Sequence, residues 1–270
     1  MDRMELVRHR RSVRTFDNVP LNTTDMEKIL AFANAQDNPY HLEISWKLIN
    51  AGEDRLSVPV IAGTDMYLAG KMQRAPHAEE AFGYAFERVI LYAESIGIGT
   101  TWIAGTMDRK AFERAIEIKD GEVMPCISPL GYPAARMSLK ETVMRKGIHA
   151  DSRRTFQELF FDGSFSVPLT LETAGDLARA LEMVRWAPSA VNRQPWRIVI
   201  TEHAAHFYEK QSKGYVDESG WDIQKIDMGI ALCHFAYGLE ETGRAYHFEQ
   251  SDPGIASPAE TFYVGTVVFA

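Results

Sequence analysis

The sequence predicts an α+β fold, a sandwich of helices and sheets made of two fused, pseudo-symmetric halves. The first observation is internal similarity. RTFDNVPLNTTDMEKILAFANAQDNPYHLEISWKLINAGED and DGSFSVPLTLETAGDLARALEMVRWAPSAVNRQPWRIVITEH share one plan. Each runs Phe, polar residues, Val-Pro-Leu, an amphipathic helix, a loop with Pro, then Trp and an apolar strand. The second is period: Met26, Ile29, Leu30 and Ala33, then Leu177, Leu181 and Val184, recur at helical spacing. The third is a pair of long segments, Ala81–Ile96 and Ile223–Leu239, apolar over much of a helical circumference and therefore buried.

Taken in order, Pro20 pairs with Pro168 and Trp46 with Trp196. Thr24 to Glu27 and Thr173 to Asp176 have capping-box spacing and predict where the two helices start. Apolar strands are expected at Val58–Ala62, Val123–Ser128, Arg197–Thr201 and Phe262–Phe269. No low-complexity linker intervenes. The short join at Asp162-Gly163-Ser164 predicts a first half over 1–162 and a second over 163–270, fused into one compact unit.

The 270 residues are 46% hydrophobic and 24% charged, which excludes a disordered or fibrous chain. Lys plus Arg number 29 against 37 Asp plus Glu, a net charge of −8. That balance disfavours nucleic acid as main partner, though not a local basic pocket for one small anion. Cys126 and Cys233 lie far apart with no CxxC pair, so a reducing compartment is the simpler reading. The N-terminal MDRMELVRHRRSVRTF has no apolar h-region, and no apolar run approaches the ~20 residues of a spanning helix. The expectation is a soluble cytoplasmic protein without membrane contact.

Several motifs are dismissed. Gly97-Ile-Gly99-Thr-Thr-Trp102 lacks the third glycine of a dinucleotide fingerprint and follows a helix. Gly70-Lys71 is no P-loop, and HExxH and GxSxG are absent. His203, His206 and the Cys233-His234 pair complete no ligand set, so no metal site is expected. Two segments stand out. Arg8-His-Arg10-Arg11-Ser12-Val-Arg14 concentrates forked donors suited to phosphate and to ring carbonyls, unless it is only a solvated basic face. Ala187-Pro188-Ser189-Ala190-Val191-Asn192-Arg193-Gln194-Pro195-Trp196 is stiffened by two prolines and presents small two-way hydrogen-bonding groups. Its plainer reading is a turn between helix and strand.

RRSVRTF followed by APSAVNRQPWRIVI resembles the paired signatures of FMN-dependent nitroreductase-like flavoproteins. Gly97-Ile-Gly-Thr-Thr-Trp-Ile-Ala-Gly105 resembles that family's glycine-rich turn, Gly131-Tyr-Pro133 its strand-end GYP, and Arg153-Arg-Thr-Phe-Gln-Glu-Leu159 its late basic segment. In the family the flavin lies at a homodimer interface, with arginines from one subunit and the Pro-Ser-Asn loop from the other. Here Asn34-Ala-Gln36-Asp37 replaces the Pro-Ser turn in the first half, and Gly163-Ser-Phe165-Ser replaces the arginines in the second. The chain therefore resembles an internally duplicated, single-chain branch whose halves mimic the homodimer. The stretch from Ile49 to Val58 is shorter than in many members, so substrate channel and donor preference do not transfer.

The resemblance implies an FMN-dependent oxidoreductase that passes hydride from NAD(P)H through flavin N5 to a nitroaromatic or quinone acceptor by ping-pong turnover. It implies that Arg10, Arg11, Arg153 and Arg154 meet the FMN phosphate, with Ser12 on phosphate or ribityl and Arg14 at the N1–C2=O edge. Pro188, Ser189, Ala190 and Asn192 would meet ring and ribityl, and backbone N–H groups of Ile103, Ala104 and Gly105 would face N5 and O4. Gln194 would brace the loop. No acid–base side chain is required, because the chemistry is the cofactor's. A flavin-binding sensor without turnover, reductive dehalogenation and flavin-ring cleavage remain alternatives. A second pseudo-site of Ser164, Phe165 and Ser166 with Ala35, Gln36 and Asp37 lacks cations, so one FMN per chain is expected, in a monomer able to complete its own site, with further oligomerisation left open.

Overall fold

A computed structural model describes residues 1–218 and 220–270. The chain forms two compact units: residues 1, 8–78 and 85–149, and residues 2–7, 79–84 and 150–270. This division falls after His149, whereas the sequence repeat places the join at Asp162–Gly163.

Helix α1 (Arg3–His9) reaches the first unit at Arg8. Helix α2 (Thr23–Asn34) starts at Asn22, whose side chain accepts the Asp25 N–H at 2.8 Å. The expected capping box at Thr24 is therefore not used, because an Asn already in extended backbone is as good a cap. Strand β1 (Ser45–Asn50) pairs antiparallel with β2 (Met66–Gln73), with Trp46 opposite Gly70. The strand expected at Val58–Ala62 is a turn closed by Ile61 N–H to Val58 O at 3.0 Å. Pro59 has no N–H for a ladder, and the apolar residues pack on a core of Ile49, Tyr67, Phe112 and Ile127 instead.

Helix α3 (Ala78–Ser95) follows, then α4 (Arg109–Ala115), capped by Asp108. Strands β3 (Glu122–Val123) and β4 (Ile127–Pro129) both pair antiparallel with β2. The single strand expected over Val123–Ser128 is broken at Met124–Cys126, around Pro125. Helix α5 (Leu139–Gly147) is capped by Ser138 and closes the unit.

The second unit contains α6 (Phe156–Leu159), β5 (Phe160–Asp162) and, after a 3-10 turn at Gly175–Leu177, α7 (Ala178–Trp186). The start expected at Thr173 fails because Thr170 and Thr173 bond each other, which makes a turn rather than a cap. Strands β6 (Trp196–Ile200) and β7 (Ala204–Lys210), helix α8 (Ile223–Glu241), β8 (Tyr246–Glu249) and β9 (Thr261–Phe269) complete it. Sheet order is β5-β6-β7-β9-β8, with only β5–β6 parallel. Strands β6 and β9 stand where the sequence predicts them; β7 was missed.

Helix α8 is buried on almost every side, as its composition predicts. It meets the first turns of α3 backbone to backbone. A Cβ at Gly83 would lie 2.1 Å from Ile226 O, and one at Gly229 2.0 Å from Glu80 O, so only glycine permits this approach. Two runs of elements share one order of helix, antiparallel pair, long helix and a later strand beside the pair's second member: α2-β1-β2-α3-β4, with α4 and β3 intervening, and α7-β6-β7-α8-β9, with β8 intervening. Among the described residues no helix is long and apolar enough to cross a membrane.

Candidate functional site

In the first unit the arginine segment is drawn alongside two other sequence motifs. Val13 N–H donates to Thr100 O at 2.8 Å, Ser12 bridges Thr100, and Phe16 bridges Pro133. Gly99 N–H donates to Gly131 O at 2.8 Å, so RRSVRTF, the glycine-rich turn and GYP form one lattice of main-chain bonds. A Cβ on Gly99 would lie 2.9 Å from Pro133 Cγ and 3.1 Å from Val13 Cβ, which is why this turn needs glycine.

The arginines differ in their commitments. Arg11 Nη1 donates to Glu141 Oε1 at 2.9 Å, and the other oxygen of Glu141 accepts Arg14 N–H at 3.3 Å. Arg10 is buried, and its Nε finds no acceptor; Arg14 Nη1 is likewise buried and unbonded. Burial pushes the Arg14 guanidinium below its ordinary pKa, and Glu141 only partly offsets this. A buried cation short of acceptors is costly. The donor chemistry therefore fits an organic phosphate with a polar ring edge, which would supply the countercharge and acceptors that these guanidiniums lack. Among the expected backbone donors, Ile103 N–H is already spent on Ile127 O at 2.9 Å, while Ala104 and Gly105 follow in partly and fully exposed backbone.

In the second unit the late basic segment lies beside the Pro-Ser-Asn loop. Gln194 Oε1 accepts Arg154 N–H at 2.9 Å, and Asn192 Nδ2 donates to Ser152 O at 3.1 Å. Gln194 N–H in turn donates to Ser189 Oγ at 2.9 Å, so Gln194 braces the loop as the sequence suggests. Arg153 uses its guanidinium on the carbonyls of Ala150 and Ser152 and lies 5.0 Å over the Trp186 ring, fastening the segment to α7. Arg154 pairs with Glu158 at 3.3 Å on the surface. Arg197, which sequence reasoning passed over, bonds Gln194 O at 3.1 Å and Trp196 O at 2.7 Å. Burial and the Arg154 charge bring its pKa down to about 10.

The loop is strained. After Pro188, Ser189 is extended and Ala190–Asn192 form a 3-10 turn in which Val191 has φ 49° and Asn192 φ 55°; Gln194 has φ 52°. A β-branched residue in that region is costly and persists only where its surroundings impose it. One such constraint is Asp227 of α8, whose oxygens lie 2.9 and 3.1 Å from Ala190 N. Glu141 and Asp227 escaped the sequence reading. A Ser-x-x-Glu spacing at Ser138 and a lone acid inside the apolar run IDMGIAL were the available signals. Of the histidines set aside earlier, His206 bonds Thr201 and Thr266, His234 is buried in α8 and His203 is exposed.

No curated protein matches the chain. Among solved structures it is similar to one described as a "putative nitroreductase" from Thermotoga maritima, with 20% identity and a TM-score of 0.65 over 100% of this chain and 93% of that one. It is also similar to an FMN-dependent nitroreductase from Clostridium difficile, with 16% identity, 49% of this chain, 88% of that chain and a TM-score of 0.44. A further likeness is nitroreductase A from Vibrio parahaemolyticus, at 19%, 50%, 70% and 0.42 for the same four quantities. The first likeness extends over the whole α+β fold. A family model described as "Putative TM nitroreductase" matches residues 2–239. With that model matched over most of its length, the chain belongs to the nitroreductase family of oxidoreductases.

Proposed function

We propose that this protein is an FMN-dependent oxidoreductase that takes reducing equivalents from NAD(P)H and delivers them to an electron-poor acceptor of nitroaromatic or quinone type. The observation that carries the reading is the pair of buried, unbonded donors at Arg10 Nε and Arg14 Nη1 within the motif RRSVRTF. FMN, when bound, would supply the redox chemistry between nicotinamide and acceptor. The chain's residues bind and orient it. Arg10 and Arg11, with Arg153 and Arg154, would neutralise a phosphate of ~1.5 to 2 negative charges. Ser12 would donate to phosphate or ribityl, and Arg14 would stabilise negative charge at the N1–C2=O edge. Ala104 and Gly105 would offer backbone N–H groups, and Pro188, Ser189, Ala190 and Asn192 would contact ring and ribityl. We further propose one FMN per chain, completed without a partner subunit, because the alternative segments Ser164–Ser166 and Ala35–Asp37 offer a carboxylate and no cation.

The test is reconstitution of the full chain with FMN, followed by an absorption spectrum and anaerobic addition of NADH or NADPH. Bands near ~450 nm that bleach with reductant and return with acceptor are expected. A bound flavin that no nicotinamide bleaches would make this a binding protein without turnover. Saturation at two equivalents would overturn the stoichiometry.

A further inference from the structure

The flavin-facing loop of the second unit contains three residues other than glycine in left-handed backbone: Val191, Asn192 and Gln194. Such a loop does not keep its shape by local preference, since each of these conformations costs about 1 to 3 kcal/mol. Four contacts hold it. Gln194 is tied to Ser189 and Arg154, and Asn192 to Ser152, all of them within the loop or the basic segment beside it. The fourth comes from α8, where Asp227 places both carboxyl oxygens on Ala190 N–H.

Asp227 is 3% exposed on a helix buried along most of its length. No arginine or lysine pairs with it among the described ion pairs. The charges that act on it are those of acids, Glu209 on β7 and Asp222 at the start of α8, and both work against its ionisation. Such a group is expensive to keep for stability alone. Its geometry fixes Ala190, the first residue of the strained turn.

We propose that Asp227 is the positioning residue of the FMN site, gripping Ala190 N–H and so holding Ser189–Gln194 in the conformation that meets the flavin. This rests on the FMN reading above, and its test separates the two. Asp227→Ala, or Asp227→Ser should alanine not fold, is compared with Asp227→Asn, whose amide oxygen still accepts the Ala190 N–H. FMN titration of the apo chain should show about ten- to hundredfold weaker binding for Asp227→Ala and affinity within about threefold of wild type for Asp227→Asn. Hydrogen exchange of the apo chain should show faster exchange over 189–194 in Asp227→Ala, with an unchanged melting temperature. Unchanged exchange over 189–194, or an Asp227→Asn as weak as Asp227→Ala, overturns the proposal. If the wild type takes up no FMN the flavin reading falls, and the exchange comparison still decides whether Asp227 holds the loop.

Discussion

The two candidate binding segments are each held by a buried carboxyl, but the two carboxyls are treated differently. Glu141, 1% exposed on α5, grips Arg14 N–H and is paired with the Arg11 guanidinium. Asp227 grips Ala190 N–H with no cation, and burial pushes its pKa well above the usual carboxylate range. The first anchor is therefore an ion pair whose partner belongs to the segment it orders. The second is a buried acid among acids, close to Glu209, whose carboxyl is pushed up to about 8 by burial and by Asp222. The same main-chain grip can rest on countercharge or on withheld charge. The two respond to mutation and pH in different ways.

The largest effect is expected at the paired anchor. Glu141→Ala leaves the Arg11 guanidinium and Arg14 N–H without their acceptor. It should cost about 2–3 kcal/mol in thermal or denaturant unfolding, below the full value for a buried pair because Arg11 is 31% exposed. Glu141→Gln should cost about half as much, because one acceptor survives. Equal losses would mean that charge, rather than the grip, is what Glu141 supplies.

Arg10→Ala sharpens the contrast from the ligand's side. It removes a buried guanidinium whose Nε is unbonded, so apo stability should barely move. FMN affinity, read by fluorescence titration, should fall roughly ten- to a hundredfold. Matching losses of stability and affinity would make Arg10 a structural residue.

The unpaired anchor predicts a pH dependence. Glu209 stays protonated in the folded chain up to about pH 8 but titrates near 4.5 when unfolded, and Asp227 shifts in the same direction. The folded state then holds the extra protons, so their stabilisation is complete below the unfolded value and is lost as pH rises to about 8. Melting temperature should decline over that range, and Glu209→Gln should flatten the decline. A decline of the same slope in Glu209→Gln would assign it to other groups.

The smallest effect concerns loop strain. Val191 is 58% exposed at φ 49°, so Val191→Asn, a residue tolerant of that conformation, should stabilise the chain by about 0.5–1 kcal/mol. A loss of stability there would show that the valine side chain has contacts of its own to keep.

Much of this was legible in the residues. The Val-Pro-Leu repeat, the buried helices α3 and α8 and the strands β6 and β9 follow from apolar period and neighbouring signals, which are local properties of a chain. So does the gathering of arginines in one segment and of Pro, Ser and Asn in another. The strand expected at Val58–Ala62 failed because its apolar residues pack as a turn on a core that the period cannot reveal, while β7, AAHFYEK, mixes polar residues into a buried strand. The caps at Thr24 and Thr173 failed because neighbouring side chains act first: Asn22 accepts Asp25 N–H and caps the helix two residues earlier, and the Thr170 and Thr173 hydroxyls bond each other.

By itself the sequence determined the family, the α+β class and the residue types of the proposed flavin site, because motif, period and charge are written in order along the chain. Only the tertiary structure decided which of those groups remain uncommitted. Arg11 is spent on Glu141 and Arg153 on backbone carbonyls, while Arg10 Nε and Arg14 Nη1 are left without partners. It also decided that Asp227, 37 positions from Ala190, fixes the loop. A hydrogen bond depends on distance in space, and a fold sets that distance without regard to separation in sequence.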